Sequence, residues 1–543
     1  MTLDGFITLL TLLVAGYALV PVVRRMQLRL AARGALLLQL FIVLFGVLYF
    51  EFWELTSRPC PSAFGEFCPW LELRADGPVK PQQAAFLVAL AGLILIAWSL
   101  THWQIRDRDI PSLKRLVDRL LEERRYSEVI DMLQPSLQLL DESAGRKRPY
   151  QLRRDRWAPT SDPHLLQLAF LETDDDHEAE SPCWLRRASS KCKSWVGRCL
   201  PTGDKEQEAA ADLLRTLFRR SELIEHICRD RPRFAAHLLG LQTFGVDDFA
   251  DDLLTWMVGH PESVLYQEIA LTQNLKGISY ELEPSNYTLF ALLSDVEVAQ
   301  RLEAYRPVGE AGLARINEAI DPRYCSSLNL PHDNHWQERG RLKDPTYVSV
   351  RFFDIMVRSA VSQNVNWHMW LYYMPHFVDA LEEIYDDSSA QVDREAEWPT
   401  RAASLLYEII DCLREWVRLA SRVDDQSIHR LPENDRVEHE NGNIPKSAAI
   451  ALGMSVRTIV VSERISDRFK EYILAISLRT VNDLPRNGAM AELRAVTLRS
   501  IAQGGLIDRG DEYQQMLRDL YESIHEPWHN DVDDFEELIG FGS

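Results

Sequence analysis

Residues 84–103 read AAFLVALAGLILIAWSLTHW, twenty residues in which His102 is the sole ionisable side chain. A helix of that length crosses roughly 30 Å of hydrocarbon. This stretch is the last of three apolar runs in the first hundred residues, after Gly5–Val23 and Gly34–Trp53. It divides the chain into an apolar N-terminal part and a charged remainder. Nine Lys/Arg and eight Asp/Glu precede Pro111, which leaves 51 against 73 of the chain's 60 and 81 for residues 111–543. An acidic surface of that size favours solubility and repels nucleic acid and anionic lipid at long range, so no nucleic-acid partner is expected.

The three runs predict a transmembrane anchor over residues 1–105. The start, MTLDG, carries an acid and no base, unlike a cleaved signal peptide, so the first run is expected to be retained. Arg24, Arg25, Arg29 and Arg33 fill the short loop between runs one and two without an acid. Positive charge marks the inner side of a membrane. The expected topology is a multi-pass protein of a bacterial inner (plasma) membrane, with the N-terminus and the 54–83 loop outside and the C-terminal body cytoplasmic. Cys60 and Cys68 then face an oxidising compartment, where their spacing allows a disulfide. Gln39 is the one strongly polar residue within run two ahead of Glu51 at its end, which suits an anchor better than a conduction path.

Beyond the membrane exit, Pro111 opens SLKRLVDRLLEERRYSEVIDMLQPSLQLL at a favoured first-turn position. Leu113, Leu116, Val117, Leu120 and Leu121 share one helical face; Val129, Ile130, Leu133 and Leu137 share another. The segment Leu120-Leu121-Glu122-Glu123-Arg124-Arg125-Tyr126-Ser127-Glu128-Val129 resembles the turn and second-helix start of a tetratricopeptide hairpin. The resemblance covers 112–140 only, and Val117, Val129 and Ser136 stand where that family prefers small residues. It implies a protein-binding helical element at 106–141. No second copy follows at the 34-residue period.

Residues 142–205 form a charged linker or elaborated loop. Arg146, Lys147, Arg148, Arg153, Arg154 and Arg156 make a basic block that is either solvated or laid against anionic headgroups. From 206 to 543 amphipathic helices follow one another, single helices over 206–229 and 287–305 among them, with looser stretches at 322–346 and 424–445 that could divide the body. In 402–423, Leu405, Leu406, Ile409, Ile410, Leu413, Trp416 and Leu419 mark one buried face. The acidic tail 530–543, with Phe535, Leu538 and Phe541, reads as a short docking peptide. The expected fold is all-α: three transmembrane helices followed by a large cytoplasmic body of stacked helix pairs, an irregular α-solenoid-like arrangement.

Catalytic signatures are missing. Neither a phosphate-cradling glycine loop nor GxSxG occurs, and the one HExxH spelling, His525-Glu526-Pro527-Trp528-His529, holds a proline inside the turn that a metal-binding helix needs. Cys183, Cys192 and Cys199 are spaced too widely for a zinc knuckle. The loop residues His332, Asp333 and His335 are weak metal candidates, since imidazole and carboxylate suit a borderline cation. The aromatic run 367–376 reads as core. No catalytic residue and no cofactor are expected. The leading expectation is a membrane-tethered scaffold or sensor subunit acting through cytoplasmic or membrane protein partners and the lipid bilayer, with homo-oligomerisation compatible. One alternative is a membrane effector of bacterial stress or antiviral defence that perturbs the bilayer when triggered. Another is a metal-dependent enzyme using the His332/Asp333/His335 loop.

Overall fold

The computed structural model describes residues 33–51, 81–102, 105–145, 205–317, 319–366, 369–424, 426–430, 443–488, 490–505, 511–524 and 532–540, together with Thr11, Arg25 and Met26. They are mostly helical, as the periodicity requires, and fall into two compact units that divide at Thr216 and Leu217.

The first unit holds α1 (Arg33–Glu51) and α2 (Pro81–His102), which pack on one another, and a helical hairpin. The hairpin runs α3 (Ile110–Glu122), α4 (Tyr126–Leu133) and α5 (Leu137–Gly145). Its turn places Arg124 at φ +56°, and its core is Leu113, Val117, Leu120, Leu121, Val129, Ile130, Met132 and Leu133. The α6 helix (Lys205–Arg219) is tied to it through Gln207 Nε2, which donates to the Ala144 carbonyl, and a Lys114–Asp212 ion pair at 3.5 Å.

The second unit begins with α7 (Ser221–Asp230), α8 (Pro232–Leu239), α9 (Val246–Gly259) and α10 (Val264–Leu271). A two-stranded antiparallel hairpin follows, β1 (Leu275–Lys276) and β2 (Ser279–Tyr280), then α11 (Tyr287–Leu293), α12 (Val296–Arg301), α13 (Tyr305–Arg315) and α14 (Pro322–Leu328). The remaining helices are α15 (Pro345–Ser362), α16 (Tyr373–Glu383), α17 (Arg401–Leu419), α18 (Ile444–Val461), α19 (Asp467–Asp483), α20 (Ala491–Gln503), α21 (Asp511–Ser523) and α22 (Asp533–Ile539).

Helix starts follow from local chemistry. Asp344 accepts from the Tyr347 N–H ahead of Pro345, Asn443 from Lys446 N–H, Thr400 from Ala403 N–H and Asp321 from Tyr324 N–H. Each satisfies one of the donors that a helix N-terminus leaves open. Three expectations change. The single helix expected over 206–229 breaks at Arg220, whose backbone is extended. The helix expected over 287–305 breaks at Asp295, which caps α12 through Glu297 N–H. The stretch 322–346 contains α14 and a π-helical turn, Trp336–Gly340, rather than a loose connection, and Leu217–Ser543 forms one unit.

Among the described residues one helix is long and apolar enough to cross a membrane, α18, and 78% of it is buried inside the body. It is a core helix. Gly453 lets it lie against α20, since a Cβ there would stand 2.1 Å from the Ser500 carbonyl oxygen. The all-α class is thus established, whereas three membrane spans are not: Gly5–Val23 lies outside the described residues apart from Thr11, and runs two and three are present as α1 and α2.

Glu268 on α10 caps a different helix. Its buried carboxylate accepts the N–H groups of Thr288 and Leu289 at 2.9–3.1 Å, closing the start of α11. Burial pushes its pKa up to about 7 against the pull of those bonds.

Two outcomes follow. Gly453→Val should lower stability by about 1–3 kcal/mol or more through overpacking against the Ser500 backbone, read by thermal melting. For Glu268 the folded pKa lies above the unfolded value, so the folded state binds the proton more tightly. Its contribution is present at low pH and lost as pH rises from about 4.5 to about 7. Glu268→Gln should remove that slope, worth about 3 kcal/mol at 1.36 kcal/mol per pKa unit, in denaturation series at pH 5 and pH 8.

Candidate functional site

Helix α15 is buried on nearly every face, yet its apolar text is interrupted by Arg351, Asp354 and Arg358. Spacings of three and four put these side chains on neighbouring turns of one face. The Asp354 carboxylate, 2% exposed, is saturated. Arg358 Nε and the Trp416 indole N–H donate to Oδ1 at 2.9 and 2.8 Å, while Arg351 Nη1 and the Tyr280 hydroxyl donate to Oδ2 at 2.9 and 2.7 Å. Arg351 Nη2 also donates to the Tyr280 oxygen at 2.9 Å, and both guanidiniums lie within 5.7 Å of the Tyr280 ring centroid. The node therefore joins α15 to α17 through Trp416 and to the β-hairpin through Tyr280.

Charge continues outward from it. Arg351 and Arg341 approach Glu408 at 3.9 and 3.8 Å; Arg358 approaches Glu415 at 3.8 Å; Arg418 pairs with Glu415 at 2.7 Å and with Asp483 of α19. Burial opposes ionisation of Asp354, but the two arginines and the Trp416 and Tyr280 bonds outweigh it and hold its pKa below the usual carboxylate value. Cys412 sits in the same interior, and burial drives its thiol far above the ordinary range. A protonated, enclosed thiol is a poor nucleophile. The node has the chemistry of a structural core.

The metal candidates serve the local backbone. Asp333 accepts the Trp336 N–H at 2.6 Å, starting the π-helical turn, and pairs with Arg401 at 3.6 Å. His332 stacks edge-on against Trp398, and burial lowers its pKa; His335 is exposed. Among the described residues no group of three His, Cys, Asp or Glu side chains is placed to hold a metal. In the aromatic run, Leu371, Met374, Pro375 and Phe377 are core, and Tyr373 stacks on Phe353 at 5.8 Å; Trp367 and His368 lie outside the described residues. An open groove at the end of α18, of about 390 Å³, is lined by Glu382, Thr458, Ser462 and Arg464. Its polar groups bond one another: Ser462 Oγ donates to Glu382 Oε1 at 2.6 Å and accepts from Arg464 N–H at 3.1 Å.

The α1–α2 pair has the second distinctive surface. Ala85, Ala89 and Gly92 line one side of α2 against Val43, Gly46 and Val47 of α1; a Cβ on Gly92 would come within 2.3 Å of Val43. The outward faces show Leu38, Phe41, Ile42 and Phe45 on α1 and Phe86, Leu87, Ile94, Leu95 and Trp98 on α2, with Phe41 and Trp98 both 64% exposed. Arg25 belongs to a described helical pair of residues and Arg33 opens α1, whereas Arg24, Arg29, Cys60 and Cys68 lie outside the described residues. So do Arg146, Lys147, Arg148, Arg153, Arg154 and Arg156.

Sequence reasoning missed the Asp354 node. Its signal was present as Arg351-x-x-Asp354-x-x-x-Arg358 inside an otherwise apolar helix, but the partners Tyr280 and Trp416 are 74 and 62 residues away.

No family model, curated protein or solved structure matches the chain.

Asp354→Ala would strand two buried guanidiniums. The expected loss is about 3–5 kcal/mol, read by denaturant unfolding followed through Trp fluorescence. Because the Asp354 pKa is depressed on folding, its contribution is present above about pH 4 and lost as pH falls through the folded value. Wild type should therefore lose that stabilisation on acidification, and Asp354→Ala should show a shallower acid limb.

Proposed function

We propose that this protein is a membrane-anchored scaffold: three N-terminal helices fixed in a bacterial inner membrane, N-terminus outside, carrying a cytoplasmic helical body that binds other proteins. The observation that carries the anchor is the α1–α2 pair. Small residues bring the two helices together, while their outward faces display large apolar side chains that water would not favour. Close packing through small residues with lipid-facing apolar surface is how membrane helices associate. Contiguous exposed apolar surface on this scale marks a partner or a bilayer. Gly5–Val23 supplies the third span in this reading, and Arg24, Arg25, Arg29 and Arg33 set its orientation.

Support for a binding rather than catalytic body comes from its interior. The buried ionisable groups of the Asp354 node are tied to each other, and Cys412 is closed off. What the body offers outward is helix surface, which suits protein partners. Exposed Phe244, Leu271 and Ile320 add apolar contact points.

The test is alkaline carbonate extraction of cells making the full chain or residues 105–543, followed by purification of each with its bound proteins. The full chain should stay in the membrane, the shorter chain should be released, and both should retain the same stoichiometric partner. Membrane retention of residues 105–543, or ion leakage from liposomes on oligomerisation of the full chain, would contradict the scaffold reading.

A further inference from the structure

The acidic tail is already docked. In VDDFEELIG (532–540), Val532, Phe535 and Ile539 recur at three- and four-residue spacing and are fully buried against α20 and α21. The Phe535 ring meets Tyr521 edge-on at 5.5 Å, and the Tyr521 hydroxyl donates to Glu536 at 2.9 Å. Asp533 lies 3.7 Å from Arg486 in solvent.

At the floor of this trough is Arg494, whose side chain is 4% exposed. Its Nη1 donates to Asp534 Oδ2 at 2.6 Å, while Nε and Nη2 are buried with no hydrogen-bond partner among the described residues. A guanidinium presents five donors in a planar fork suited to bidentate carboxylates. A buried donor left unmatched is unfavourable. The resident tail thus fills the apolar subsites but leaves the charged subsite half used.

We propose that the α20–α21 trough is a receptor for an acidic amphipathic helix of a partner protein, with α22 as its resident ligand. The partner carries a Phe flanked by Asp and Glu and a carboxylate that takes the Arg494 fork side-on. A tethered ligand competes at high effective concentration. The partner must therefore bind better than α22 to open the site, and the unmatched Arg494 donors are the means. This deepens the scaffold reading by naming one contact site, and it is independent of the membrane anchor.

The experiment uses the full-length chain in detergent with Asp534→Ala and Phe535→Ala, titrated with a fluorescent peptide of residues 530–543 and followed by anisotropy. The variant should bind the peptide saturably, and wild type at least tenfold more weakly because α22 occupies the trough. A peptide carrying Phe535→Ala should not bind, and adding Arg494→Met to the chain should abolish binding. Should circular dichroism show the double variant unfolded, Asp534→Asn alone, which keeps the apolar anchors, is titrated in its place with the same expectations. A folded variant that binds the peptide no better than wild type would overturn the site. A wild-type dimer dispersed by the peptide would overturn the heterotypic assignment in favour of tail exchange between copies. Either result leaves membrane retention, and hence the anchor, untouched.

Discussion

A single carboxylate, Asp354, balances two guanidiniums, an indole N–H and a phenol inside the core. Burying any one of these charges alone would be strongly unfavourable. With Glu408 and Glu415 facing the second positive charge they offset one another, Arg358 Nη1 alone of the node's donors having no partner among the described residues, but only if α15, α17 and the β-hairpin stand in one arrangement. Apolar packing tolerates sliding; four hydrogen bonds converging on two oxygens do not. Helix α15 can carry these charges because the rest of its surface, including Val348, Phe352, Phe353 and Ile355, is buried among other helices. The ion pairs that spread to Glu408, Glu415 and Asp483 extend the same register to α19.

The second unit and the α1–α2 pair of the first are packed in opposite ways. In the second, most large apolar side chains point inward, and Gly453 admits a close approach of α18 and α20. In the α1–α2 pair the order is inverted: small residues lie between the helices and Phe, Leu, Ile and Trp lie outside. Among the described residues length and apolarity select α18 alone, and its burial among helices makes it core.

Local pattern made much of the fold legible. The face of Leu405, Leu406, Ile409, Ile410, Leu413 and Trp416 is buried as its spacing implies, and the hairpin around Leu120 and Val129 is helical on both sides of its turn. What local pattern did not carry was long-range. The breaks at Arg220 and Asp295 lie within continuous apolar periodicity, and the β-hairpin is too short to show alternation. The Asp354 partners come from distant segments; of the three residues with a metal-like composition, His332 meets Trp398, Asp333 meets Trp336 and Arg401, and His335 is exposed. Of the tail residues read as docking, Phe535 is buried, Leu538 is exposed and Phe541 lies outside the described residues; that Val532 and Ile539 join Phe535 against α20 and α21 required the fold.

The most direct test of the central claim is amide hydrogen exchange across the full chain in a lipid nanodisc. If the Asp354 node organises the body, peptides covering α15 and α17 should be the slowest to exchange and should open together with α18, at the free energy of global unfolding. Exchange of α15 at the rate of the peripheral helices α7 and α8, with α18 still protected, would show that the apolar core stands without the node and would contradict the account.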